Sequence, residues 1–184
     1  ISRSVGWFTA VFPVLLVLYG TSDRGQALKS VKEQLRQIPN RGIGYGLLRY
    51  LNSGEIAASL RNLPQAEVSF NYLGQFDQSF AESSLFGLAK EPSGSCHSLQ
   101  DSRSHLFEID GMITDGQLQM VWTYSEALHR HITVEHLAQS FIEKLRSLIH
   151  HCQSADAGGY TPSDFPLAEI SQDELDAVFA TVEF

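Results

Sequence analysis

The Asp115-Gly116 pair limits what this chain can fold into more than any other feature. Asp-Gly favours a two-residue hairpin turn, because both positions must adopt left-handed backbone angles. It sits between His105 to Thr114 and Gln117 to Ser125, two runs with apolar alternation. With the turn as centre, Ile113 lies opposite Leu118, Gly111 opposite Met120, Ile109 opposite Trp122 and Phe107 opposite Tyr124. All four pairs fall on one face, so register and burial ask for the same structure.

Around this hairpin the chain alternates between helical and extended patterns. Val14 to Leu18 is uniformly apolar and mostly branched, the pattern of a strand buried on both faces, with Pro13 at its start. Ala27, Leu28, Val31, Leu35 and Ile38 recur at helical spacing, predicting a helix from about Asp23 to Ile38 that Pro39 ends. Gly42, Gly44 and Gly46 predict a loop with unusual backbone angles, leading into a short helix around Leu47 to Leu51. Its Gly-x-Gly-x-Gly spacing follows a helix rather than a strand and lacks the Lys of a phosphate cradle. Ser53 is the expected cap of a second short helix, Gly54 to Leu63, closed by Pro64. Thr133 is the expected cap of the longest helix, whose apolar stripe runs through Val134, Leu137, Ala138, Phe141, Ile142, Leu145, Leu148 and Ile149. Ser171-Gln-Asp-Glu174 is a capping box opening a last acidic helix, Gln172 to Phe179. Residues 78–104, rich in Ser, Gly and Gln, form a loop long enough to be functional or mobile. This order predicts an α/β fold, an α+β sandwich. Residues 1–155 are expected to form its body and 156–184 an acidic C-terminal linker with a short helix.

Charge narrows the function classes. The 184 residues carry a formal net charge of −8. Residues 1–92 hold 9 Lys and Arg against 7 Asp and Glu, whereas 93–184 hold 4 against 14, so the acidity belongs to the second half. An acidic chain without a basic stripe argues against nucleic acid or an anionic membrane as partner. The apolar run at residues 5–19 is interrupted by Thr9 and Pro13 and is too short to span a bilayer. Two cysteines, Cys96 and Cys152, fit neither a disulfide framework nor a metal knuckle, which points to a reducing compartment, the cytoplasm. Cys152, at the end of an amphipathic helix, is expected to be a buried small hydrophobe. His129, His131 and Glu135 or His136 fall short of a zinc ligand set, so no metal is expected.

The candidate site is Glu67 to Asp77, Glu-Val-Ser-Phe-Asn-Tyr-Leu-Gly-Gln-Phe-Asp. Val68, Phe70 and Tyr72 alternate with Ser69 and Asn71 as in a strand, which Gly74 then breaks. An amide and a phenol stand side by side just before a glycine, where backbone can approach a ligand. Successive strand residues point to opposite faces, so Asn71 and Tyr72 share a cavity only if the strand ends or bulges between them.

Three stretches together resemble the epimerization domains of nonribosomal peptide synthetases, relatives of the condensation domains. Ser2-Arg-Ser-Val-Gly-Trp-Phe-Thr-Ala-Val-Phe-Pro-Val14 is similar to the Arg-Thr-Val-Gly-Trp-Phe-Thr-x-x-Tyr-Pro-Val motif of that family, with Ser4 for Thr and Phe12 for Tyr. Pro39 to Gly46 fits Pro-x-x-Gly-x-Gly-Tyr-Gly, and Phe70 to Asp77 matches Phe-Asn-Tyr-Leu-Gly-Gln-Phe-Asp throughout. Trp122-Thr-Tyr-Ser125 and the Thr-Pro-Ser-Asp-Phe-Pro-Leu stretch ending at Leu167 resemble the family's C-terminal end.

The resemblance implies the C-terminal lobe of a chloramphenicol-acetyltransferase-like fold, in which two lobes form a V around the active site. It implies inversion at Cα of an amino acid or peptide held as a thioester on the phosphopantetheine arm of a peptidyl carrier domain, with no cofactor bound directly. By the same resemblance Asn71 and Tyr72 support catalysis, and Trp7, Phe8, Gly44, Tyr45, Gly74 and Gln75 line the tunnel for substrate and carrier arm. For the glycines of the 42–46 loop a tight structural turn is the stronger reading. The family's His-His-x-x-x-Asp-Gly and Glu-Gly-His-Gly-Arg motifs, which supply its acid and base, lie upstream of the first motif and do not occur here. His150-His151 departs from that pattern and closes a helix, where histidines suit the dipole. The resemblance therefore implies an inactive piece that needs the N-terminal lobe of the same domain. A condensation domain, or one that both condenses and epimerizes, is the nearest alternative, and a noncatalytic carrier-docking module is the alternative from another class.

Overall fold

The computed structural model describes residues 4–6, 8–18, 20, 23–75, 91, 94, 98, 100–154 and 157–181. It divides into two units, one of Ile1–Pro64 with Ile142–Phe184 and one of Gln65–Phe141. Trp7, Cys96 and most of the 78–104 loop lie outside the described residues.

In the second unit, β1 (Val68–Gln75), β2 (Phe107–Thr114) and β3 (Gln117–Tyr124) form a sheet in that order. β1 runs parallel to β2, and β2 antiparallel to β3. The hairpin register is the expected one, with Ile113 opposite Leu118, Gly111 opposite Met120, Ile109 opposite Trp122 and Phe107 opposite Tyr124. Asp115 and Gly116 have φ of 51° and 68°, the left-handed pair that such a turn requires. Parallel pairing sets Val68 beside Phe107, Phe70 beside Ile109 and Tyr72 beside Gly111, so these β1 residues join the apolar hairpin face.

Helix α4 (His131–Cys152) packs on that face through its first half. The Phe141 ring meets Trp122 edge-on at 5.8 Å, Trp122 in turn meets Phe107 at 6.4 Å, and Ile109 and Val134 are buried. Burying this cluster is what holds helix to sheet, at roughly 2 kcal/mol for each fully buried large apolar side chain. The helix starts two residues before the expected cap. Thr133 and Val134 donate their N–H groups to Arg130 O, so Thr133 lies inside the first turn. At the other end Cys152 is exposed, contrary to expectation, because the apolar stripe has run out at the last helical residue.

In the first unit, α1 (Arg24–Arg36) is capped by the Asp23 carboxylate, which accepts from Gly25 N at 2.6 Å and Gln26 N at 3.2 Å. Residues 8–18 lie beside it without forming the expected strand. Leu15 is 85% exposed and Leu16 48%, so the two-sided cover that an apolar run needs is lacking among the described residues. Ile38 leads into a tight turn, Pro39–Gly42, then α2 (Ile43–Gly46) and a wider π-type turn, Leu47–Leu51. The unusual angles fall earlier than the glycine spacing suggests. Asn40, Arg41 and Gly42 are successively left-handed, at φ 48°, 54° and 76°, whereas Gly46 is helical at φ −61°. A Cβ on Gly42 would lie 1.9 Å from Phe12 Cδ1, so this glycine is the notch that seats the Phe12 ring.

Helix α3 (Glu55–Asn62) is entered through Gly54 rather than Ser53, and Asn52 Oδ1 accepts from Gly54 N at 2.8 Å. Residues 157–181 close this unit. Thr161-Pro-Ser-Asp164 forms a capping box around a single tight turn, and α5 (Gln172–Thr181) opens with the Ser171–Glu174 box. Tyr160, Phe165 and Phe179 cluster, with the Tyr160 and Phe179 rings stacked at 4.8 Å. Thr161 is only 1% exposed. The cluster is tied to α1, where Lys32 Nζ pairs with Asp164 and Ser163 Oγ donates to Glu33 at 2.6 Å.

Candidate functional site

β1 carries the candidate residues Asn71, Tyr72, Gly74 and Gln75 on one stretch of backbone. Asn71 pairs with Asp110 and Tyr72 with Gly111, but the next partner of Ile113 is Gln75, so β1 holds an extra residue between Tyr72 and Gln75. This is a bulge, and Gly74 at φ 88° absorbs it. The bulge follows Tyr72, so strand alternation still holds between Asn71 and Tyr72. Tyr72 belongs to the face of Phe70 and Ile109. Asn71 belongs to the opposite face with Ser69, Glu108 and Asp110.

Each side chain has its own surroundings. On the polar face Asn71 Nδ2 donates to Asp110 Oδ1 at 3.1 Å, and two residues along β2 Glu108 is held by Arg103 at 2.7 Å. Arg103 also donates to Thr123 O across the sheet. On the other face, Gly111 leaves a slot between Tyr72 and Met120. A Cβ there would lie 3.4 Å from Tyr72 Cδ2 and 2.9 Å from Met120 Sδ. Tyr72 remains 52% exposed and Phe70 58%, so β1 presents both its polar and its aromatic side to the surroundings.

At the β3 end, His129 stacks on Phe107 at 4.7 Å, and its buried Nε2 has no hydrogen-bond partner among the described residues. Tyr124 Oη lies 2.8 Å from His131 Nδ1. Among the described residues no three His, Cys, Asp or Glu converge as metal ligands.

Phe8, Gly44 and Tyr45 lie in the other unit. Phe8 is exposed, and Gly44 has open space where a Cβ would be. Tyr45 accepts a hydrogen bond from Arg49 Nη1, and the Arg49 guanidinium also stands 5.5 Å from the Tyr50 ring centroid. The Tyr45 hydroxyl holds Arg49 still more firmly in its charged form. Sequence reasoning does not single out Asp110 or Arg49. Arg49 carries a signal all the same, since it stands four residues after Tyr45 on a helical stretch.

Comparison with known proteins agrees with this architecture. The sequence matches the Condensation domain family over residues 1–170, and the chain belongs to that family. It is 50% identical over 177 residues to a linear gramicidin synthase protein of Brevibacillus parabrevis, covering 96% of this chain and 2% of that protein. It is 48% identical over 178 residues to chondramide synthase cmdD of Chondromyces crocatus, covering 97% of this chain and 4% of that protein. The fold is similar to the crystal structure of the epimerization domain from the third module of tyrocidine synthetase B, with a TM-score of 0.71 and 36% identity. That likeness covers 82% of this chain and 33% of the solved one, so the chain spans about a third of the domain and a small part of the synthases. The mixed α/β expectation and the family resemblance both stand. Among the described residues no helix is long and apolar enough to cross a membrane.

Proposed function

We propose that this chain is the C-terminal lobe of a carrier-dependent epimerization domain acting in the cytoplasm, and that it forms one wall of the cleft in which Cα of a carrier-bound amino acid or peptide is inverted. The observation that carries this reading is Asn71, exposed on the polar face of β1 just before a bulge, in a chain 36% identical to a solved epimerization domain. Inversion removes a proton from one face of Cα and returns it to the other, and the thioester oxygen must be stabilised while it carries enolate charge. The acid and base belong to the N-terminal lobe in this reading. Asn71, on the polar face of β1, supplies a donor and an acceptor matched to an amide-bearing phosphopantetheine thioester, with Gly74 close by where backbone can approach, while Tyr72 lies on the opposite face against Gly111. Partners are then the N-terminal lobe and a peptidyl carrier domain, and residues 156–184 serve as a linker that folds back on the 1–155 lobe, where Asp164 and Ser163 meet α1.

The test is deuterium wash-in at Cα of a carrier-tethered aminoacyl thioester, comparing this chain with the protein extended upstream. Exchange by the long form alone is expected. Absence of exchange by both, with amide formation by the long form, would favour a condensation domain. The family match by itself supports that second reading equally well.

A further inference from the structure

We infer that Asp110 is a positioning residue that sets which end of the Asn71 carboxamide faces the substrate. The inference rests on the epimerization reading above. Asn71 and Asp110 are register partners on adjacent parallel strands, and Asn71 Nδ2 donates to Asp110 Oδ1 at 3.1 Å. A carboxylate accepts and cannot donate, so the opposite amide orientation would set oxygen against oxygen. Asp110 therefore turns Asn71 Oδ1 and the second N–H away from β2.

The rest of this face leaves Asp110 to that task. Glu108, the nearest carboxylate along the same strand face, is held by Arg103 at 2.7 Å. On the other side of Asp110 the register partner is Val121, whose side chain has no polar group. An amide hydrogen-bonded to an anion is also a stronger acceptor at its oxygen, through cooperative polarisation. The chemistry such an oxygen recognises is the N–H of a carrier-bound aminoacyl or peptidyl group, one bond from the Cα that loses its proton. Holding that N–H fixes the rotation about the N–Cα bond and hence the line along which the Cα proton leaves.

The experiment uses the complete domain, this chain with its N-terminal lobe, and alanyl, leucyl and phenylalanyl thioesters on its carrier, taking forward the one that exchanges fastest. Asp110→Ala is expected to lower kcat for Cα deuterium exchange about tenfold with KM within about twofold, the mark of a contact used in the transition state. Asp110→Asn, which keeps an acceptor oxygen, should restore most of the rate. Asn71→Ala should match Asp110→Ala, and the double variant should be no slower than either single one. Full exchange in Asp110→Ala, or additive losses in the double variant, would overturn the inference while leaving the epimerization reading intact. Unimpaired exchange in Asn71→Ala would remove the role of Asn71 and the inference with it, and absence of exchange in the unaltered domain would end both. If Asp110→Ala does not fold, the Asn71 side-chain amide resonances of the unaltered domain decide. One of the two N–H protons should exchange more slowly than the other, and a pair that exchanges freely and equally would overturn the inference.

Discussion

Gln34 pairs both ends of its side-chain amide with the backbone of Val17, accepting from Val17 N at 2.8 Å and donating to Val17 O at 2.8 Å. One carboxamide thus does what a neighbouring strand does for a residue in a ladder. Its Nε2 also reaches Ser30 one turn back on α1, which steadies the side chain. Replacing Gln34 by Leu should leave both Val17 groups without that partner and destabilise the domain by about 1–3 kcal/mol. Thermal denaturation and hydrogen exchange at the Val17 amide check this. An unchanged exchange rate at Val17 would show that the pairing does not persist in solution.

Gly42→Ala introduces a methyl group where the Phe12 ring already sits, at a left-handed residue. The expected cost is about 2–4 kcal/mol, combining overpacking with the left-handed penalty. Combining it with Phe12→Ala should leave Gly42→Ala costing only about 1 kcal/mol relative to Phe12→Ala alone, since the clash is gone and the backbone penalty stays. A full cost in that background would place the strain elsewhere.

The attachment of residues 157–181 to α1 should weaken in acid. The Lys32 ammonium and the Thr161 amide hold Asp164 below the usual carboxylate range. Burial raises Glu33, but hydrogen bonds from Ser163 and Thr161 outweigh it and the net shift is downward. A depressed folded-state pKa means that stability is fully present above the unfolded-state value, about 4, and lost as pH falls through the lower folded-state value. Exchange protection around Thr161 should therefore fall below about pH 4 and be flat between pH 6 and 8. Lys32→Met should reduce the acid sensitivity, and an unaltered profile in that variant would argue against the pair.

The 184 residues taken alone should bind a hydrophobic dye or self-associate. Val68 is 50% exposed and Phe70 58% on β1, with Leu15 and Leu16 exposed in the other unit. Apolar surface of this kind is what an absent lobe would cover. A monomeric, dye-silent chain by light scattering and fluorescence would count against the half-domain reading.

What is legible in the sequence follows from how local each constraint is. The Asp115-Gly116 turn fixes its own register, so every hairpin pair can be read from the residues alone. The neighbouring β1–β2 register cannot, because no tight turn joins parallel strands, and the Asn71–Asp110 contact stays hidden with it. Ser171-Gln-Asp-Glu174 reads as a cap. Thr161-Pro-Ser-Asp164 has a similar local form, but Pro162 and, just beyond the box, Pro166 give the stretch the composition of a linker. Val14 to Leu18 shows the limit of apolar runs as evidence. They state that cover is needed without stating where it comes from.

Lys32, Glu33 and Gln34 are consecutive, yet they reach Asp164, Ser163 and Val17 respectively. One stretch of α1 therefore reads both extremities of the chain against a common phase. Removing a single residue upstream in α1 would turn this trio by about 100° relative to the helix start. The early and late segments would lose their footing together, although nearly 150 positions separate Val17 from Asp164. A change in helix length between Asp23 and Lys32 should therefore cost more stability than a substitution at any one of these three positions.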